Sequence, residues 1–279
     1  MHRRTHLRSL ALVAVALSSA SLLAMACSSE DPPAERARTS TPSERDAADT
    51  ASDAAEPTPS DEDASTSTDG GAEAGPEWVG PDGGISTRMN FFVTSRGGGK
   101  GGDFRASVSD ADGLAGADAL CASLANDVSP VLGAKTWVAY LSTSTVDARD
   151  RIGAGPYYNA KGELIANDVA HLHDEGKKNL LTFDSNLDEL GRPVSISNPN
   201  VHDILTGTKA DGTKTDNHCM NWTSSATGAK ARLGHSNRMG GGQDPTSWNS
   251  AHDSAGCAEM GTGSVRSGGG RGSFYCFAK

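Results

Sequence analysis

His171 and His173 stand two residues apart, with Asp174 and Glu175 directly behind them. Imidazole and carboxylate are metal ligands, and residues i and i+2 share a side only in an extended strand. There is no H-E-x-x-H and no third histidine at a matching spacing, so a solvated loop is expected here. Lys100 lies in a glycine-rich run from Arg96 to Phe104 that invites comparison with a phosphate-binding loop. Gly101 follows it where a Ser or Thr is needed, and Thr94 stands where the first Gly belongs; a flexible loop is the expectation. Asp110 and Asp112 lead into Gly113 like the start of a calcium loop. Leu114 replaces the third oxygen ligand, however, and no Glu stands at the twelfth position. The chain shows no nucleophile elbow, no zinc-protease motif and no convincing carboxylate pair. No catalytic residue, metal-ligand set or cofactor is therefore predicted, and the chain is not expected to be an enzyme. The alternative, an enzyme acting on envelope polymers, would need a pocket with strongly perturbed titrating groups.

The cysteines carry more information: Cys27, Cys121, Cys219, Cys257 and Cys276. Arg3, Arg4 and Arg8 precede an apolar run, Leu10 to Leu23, that is too short and too serine-rich to span a bilayer. This reads as an export signal. Leu23-Ala24-Met25-Ala26-Cys27 resembles the lipobox of bacterial lipoproteins, although that family usually has Leu where Ala24 stands. The resemblance implies removal of residues 1–26 and a lipid on Cys27, the chain's contact with the membrane. Ser28 after the cysteine points to the outer membrane by the enterobacterial sorting rule. Ala24-Met25-Ala26 also suits ordinary signal peptidase, and the alternative is a secreted protein. With Cys27 acylated, four cysteines remain, an even number in an oxidising compartment; two disulfides are expected, with three pairings open.

Residues 27–85 are built from Ala, Ser, Thr, Pro, Asp and Glu, with nothing large and apolar before Trp78. Such a segment cannot bury enough surface to offset chain entropy, so a disordered acidic tether is expected. Residues 28–85 carry net charge −12 and residues 86–279 carry −1, so the acidity belongs to the tether. The folded domain, residues 86–279, has no charge bias towards nucleic acid, and no nucleic-acid partner is expected.

Within that domain several elements are legible. Met89 to Ser95 is rich in aromatic and β-branched residues and predicts a strand. Asp112 can cap a helix that places Leu114, Ala117, Leu120, Cys121 and Leu124 on one face. Thr136 to Ser144 predicts a strand, Val146 to Ile152 a short helix, and Gly155 to Asp168 a hairpin turning at Lys161-Gly162. A strand is expected around Leu181 to Phe183, followed by a Gly191-Arg192-Pro193 turn. The stretch from Asp203 to Ser225 reads as turn-rich, and Gly234 to Cys257 as long and irregular. Gly272 to Lys279 predicts a closing strand.

The order of these features resembles the endostatin module, a member of the C-type lectin-like fold. It runs from a helix with Cys121 and a strand at Trp137 through a Thr206-Gly207…Gly212 turn. Then come Cys219-x-x-Trp222, Cys257, and Cys276 in the last strand. The same combination resembles a bacterial lipoprotein domain of unknown function. The resemblance covers roughly Asn90 to Lys279 and implies an α+β, endostatin-like C-type lectin-like fold: two helices, short antiparallel strands and a loop-rich second half. It implies nested disulfides, Cys121–Cys276 and Cys219–Cys257, with Trp222 packed beside the second. Calcium-dependent relatives carry acidic motifs; here Asn198-Pro199-Asn200 and Trp248-Asn249-Ser250 are near misses without the acids, so calcium binding is not expected. Binding loops of this fold lie in the second half, which nominates Trp222, His235, Asn237, Arg238 and Trp248 as ligand-binding candidates. The expectation is a lipid-anchored envelope module that binds a glycan or an extracellular or envelope protein without calcium; a purely structural envelope lipoprotein is a further alternative.

Overall fold

A computed structural model describes residues 84–279, apart from 175 and 177. The signal segment, Cys27 and nearly all of the tether lie outside the described residues. The domain is mixed α+β. Its strands are β1 (Phe91–Val93), β2 (Trp137–Ala139), β3 (Tyr157–Tyr158), β4 (Leu164–Ala166), β5 (Asp203–Leu205), β6 (Arg232–His235), β7 (His252–Asp253) and β8 (Gly270–Ala278). Its helices are α1 (Leu114–Val128) and the one-turn α2 (Pro130–Gly133) and α3 (Val169–Leu172), with a 3-10 turn at Ala148–Asp150. Among the described residues no helix is long and apolar enough to cross a membrane.

β8 is the axis of the larger sheet. Its second half is flanked by antiparallel β1 and β2, with Cys276 opposite both Phe92 and Ala139. Its first half pairs with parallel β5, which continues through antiparallel β6 to β7. β3 and β4 form a separate hairpin. A strand buried on both faces must be apolar on both, and alternation sorts its side chains into two cores. Phe274, Cys276 and Ala278 join Phe92, Trp137, Ala139 and α1 on one side. Tyr275 and Phe277 join Phe91, Val138, Tyr140 and Tyr157 on the other. The rings of Phe91 and Tyr157 lie 5.0 and 5.1 Å from that of Phe277.

α1 buries Leu114, Ala117, Cys121, Leu124 and Ala125, while Leu120 is only partly covered. The Asp112 carboxylate accepts from the Leu114 N–H at 3.0 Å, satisfying one of the donors that a helix start leaves over. Cys121 bridges α1 to Cys276 in β8, and Cys219 bridges to Cys257.

Three expectations need correction. The Arg96–Phe104 run is not a flexible loop. A Cβ on Gly102 would come within 2.3 Å of Cys219 Sγ, so these glycines let the backbone lie directly on the second disulfide. No strand forms at Leu181 to Phe183. The Thr182 and Ser185 side chains exchange hydrogen bonds with each other's backbone N–H and close a turn instead. The segment after β4 is not a solvated loop throughout: Asp168 caps α3 by accepting from the His171 N–H, and His173 is buried. His173 accepts from the Tyr140 hydroxyl at Nε2 and donates from Nδ1 to the Val169 carbonyl, both at 2.7 Å.

Cys219–Trp222 forms a turn in which four successive non-glycine residues have positive φ, from 47 to 61°. Left-handed backbone costs an L-residue roughly 1–2 kcal/mol. The turn is held by the Cys219 bridge and by Trp222, which is fully buried and donates Nε1–H to the Ser142 carbonyl at 2.7 Å.

Candidate functional site

Two groups of polar side chains stand out, and both are built by the loops around β5, β6 and β7. The first is a cavity of about 340 Å³ lined by Asp174, Asn179, Arg238, Asp244, Trp248 and Asn249, among others. That is within the usual size range for a small-ligand pocket. Arg238 reaches it from the tight turn that leaves β6, where its N–H donates to the His235 carbonyl at 3.1 Å and its φ is 54°. Its guanidinium donates to Asn179 Oδ1 and, at 3.5 Å, to the Thr246 carbonyl. Its Nε is buried and has no hydrogen-bond partner among the described residues. Burial lowers its pKa, against Tyr275 and Asp244, which raise it. Asn249 is oriented by donating to the Tyr140 hydroxyl and to the Lys209 and Ala210 carbonyls. Trp248 contributes only an edge, since it is 3% exposed and packs 5.0 Å from Tyr140 and 5.1 Å from Tyr275.

The second group is a cluster of three histidines around one carboxylate. Asp203 opens β5 and is opposite His235 at the end of β6; His252 opens β7 opposite Leu233. By register, Asp203, His235 and His252 share one face of the sheet. His202, just before β5, stacks on His235 with ring centres 4.5 Å apart and planes within 9°. The Nε2 atoms of His202, His235 and His252 lie 3.3, 3.4 and 3.4 Å from Asp203 Oδ1. His202, Asp203 and His235 are buried, and each brings one ligand atom within 4.8 Å of the others. Burial would raise the Asp203 carboxyl, but the imidazoles facing it more than offset that and its pKa is lowered. His252 is raised by the same contact, against its partial burial.

The five nominated ligand residues thus go to three places. Arg238 and Trp248 line the pocket. His235 joins the histidine cluster, and Asn237 supports it by accepting from His202 Nδ1 at 3.0 Å. Trp222 lies in the core beside Phe104, away from both groups. His171 and His173 do not act together, because α3 carries one on its surface and the turn after it buries the other. The sequence reading found no metal-ligand set because it looked for spacing within single elements, whereas these residues come from three neighbouring strands and the position just before one of them. The available signal was the pair of His-Asp dipeptides, His202-Asp203 and His252-Asp253, on either side of an isolated His235. No family model and no curated protein matches the chain.

Proposed function

We propose that the chain is a lipid-anchored binding module of a bacterial cell envelope. Acylated Cys27 holds it at the outer membrane, residues 27–85 carry the domain clear of the surface, and residues 86–279 form an endostatin-like, C-type lectin-like head. The α+β architecture, the two bridges enclosing a loop-rich second half, and Trp222 beside Cys219 support this fold reading. The head recognises a glycan or protein ligand without calcium, in the pocket at Arg238.

The observation that carries this reading is the Arg238 guanidinium. It is held in left-handed backbone at the pocket, with Nε buried and lacking a hydrogen-bond partner among the described residues. A buried donor left without an acceptor costs about 1–3 kcal/mol. A ligand carboxylate, amide carbonyl or hydroxyl placed there would remove that cost. Carboxylates at Asp174 and Asp244 and the edge of Trp248 suit the hydroxyls and apolar ring face of a sugar that also bears such an acceptor.

Full-length protein applied to arrays of envelope glycans and matrix proteins should bind at least one member with chelator present. Arg238→Ala should weaken that binding about tenfold or more, the size expected for one charge-assisted hydrogen bond. No binding across the arrays, or equal binding by the variant, would defeat the proposal.

A further inference from the structure

The carboxylate of Asp203 is 1% exposed, and neither of its oxygens has a hydrogen-bond partner among the described residues; nor does His235 Nε2. The other ring nitrogens explain why this is unusual. His202 Nδ1 faces Asn237 Oδ1, His235 Nδ1 faces the Pro245 carbonyl at 2.9 Å, and His252 Nδ1 faces the Asp253 carbonyl at 3.0 Å. Asn237 Oδ1 also accepts from the Met239 N–H, which fixes it as the oxygen. All three Nδ1 atoms therefore carry hydrogen, and in the neutral rings each Nε2 presents a lone pair. In the neutral rings three such lone pairs and a carboxylate converge with no donor between them, and a proton on His252 would supply one donor to Asp203 but leave His235 Nε2 without a partner. Protonating His202 and His235 together would set two positive rings face to face at 4.5 Å.

A cation resolves this. Zinc-class ions bind imidazole nitrogen and carboxylate oxygen at about 2.0–2.1 Å, and a tetrahedron with those bonds has edges of about 3.3–3.4 Å. The three edges that meet at Asp203 Oδ1, from the Nε2 atoms, are 3.3, 3.4 and 3.4 Å, and His202, Asp203 and His235 also bring all their ligand atoms within 4.8 Å of one another. Donation from Nδ1 to a carbonyl or amide oxygen is also how metal-bound histidines are oriented. The wall is backbone: a Cβ on Gly240 would lie 2.9 Å from His202 Cε1, and one on Gly269 would lie 3.1 Å from His202 Nε2.

We propose that His202, Asp203 and His235 bind a divalent transition-metal ion of the zinc class, and that His252, 3.4 Å from the same carboxylate oxygen, closes on it as the fourth ligand. Imidazole-rich ligands select such ions over calcium or magnesium, which take oxygen. Three buried ligands, from β5, the residue before it and β6, hold the ion, and closure of His252 from β7 fills the tetrahedral shell and makes the ion structural. His252, whose side chain is 26% exposed, is the way in. The site shares no residue with the lining of the Arg238 pocket, and either proposal stands without the other.

The test is titration of untagged, chelator-stripped full-length protein with Zn2+ by calorimetry and with Co2+ by visible absorption at neutral pH. We expect one ion per chain with Kd of about 1 µM or tighter, the visible bands of tetrahedral Co2+, and a higher melting temperature with Zn2+. Asn237→Ala, which removes only the outer partner of His202, should weaken Zn2+ binding about 10–100-fold, and His252→Gln at least as much. His171→Gln should change nothing. The proposal fails if the folded wild-type protein takes up neither ion stoichiometrically. It also fails if Asn237→Ala and His252→Gln, both retaining the wild-type near-ultraviolet dichroism, bind Zn2+ as tightly as the wild type.

Discussion

Burial pushes the His173 imidazole down to about 4, with Arg149 acting in the same direction against its hydrogen bond to Val169 and against Asp211 and Asp150. An ordinary histidine in the unfolded chain titrates near 6.5. Between those values the unfolded state binds the extra proton, so stability should be full above about pH 6.5 and fall as pH drops towards 4. The loss attributable to this side chain is about 3 kcal/mol. Urea denaturation of wild type and His173→Gln across that window should show the wild type losing more, with the two curves parallel above it. A constant gap at every pH would remove His173 from the acid sensitivity. At this scale the sequence was legible where a residue type has one dominant use. The four cysteines after residue 85 read as two bridges, and Trp222 beside one of them as a core residue. Histidine has several uses, and His173 and His235 differ only in what the fold packs around them.

Between elements, the bridge from α1 to β8 closes a loop of 155 residues. By the chain-entropy model such a cross-link contributes about 5 kcal/mol. Replacing Cys121 and Cys276 together by Ala should lower the melting temperature by roughly 10–20 °C for a domain of this size, measurable by differential scanning calorimetry. A shift of only a degree or two would mean that packing of Leu114, Ala117 and Leu124 holds the helix unaided. α1 was readable from its helical period, and β1 and β8 from apolar runs rich in aromatic residues. β5, β6 and β7 were not. They are two to four residues long, with Gly234 inside β6, and their alternation is too brief to separate from the surrounding turns. The histidine cluster was hidden for the same reason, since its residues become neighbours only once those three strands pair.

Over the whole molecule, charge is unevenly spread along the chain. Among the described residues, 84–279, two cores form, and the acidic excess lies in residues 28–85. Interactions between solvent-exposed charges fade beyond about 8 Å at physiological salt. Deleting residues 28–83 should therefore leave the domain's melting temperature within about 2 °C of the full chain at that salt concentration. A larger drop in thermal unfolding would show that the acidic segment docks on the domain. The charge boundary is a property of composition alone. The parallel pairing of β5 with β8 was not legible in the sequence, because partners so far apart in the chain leave no local mark.

β8 is the last of the described elements, yet β1, β2 and β5 all pair with it. Polypeptides are made N-terminus first. Until Gly270 to Ala278 has emerged, β1 and β2 have no strand to lie between them, and Cys121 has no partner for its bridge. Assembly must wait for contacts of the longest range, which are the slowest to form. During that wait the edges of β1 and β2 and the apolar face of α1 are open to proteases and to other chains. A nonsense mutation at Gly270 would strip β1, β2 and β5 of their common partner and leave only the β5–β6–β7 pairing, and such a chain should be cleared as though it had never folded.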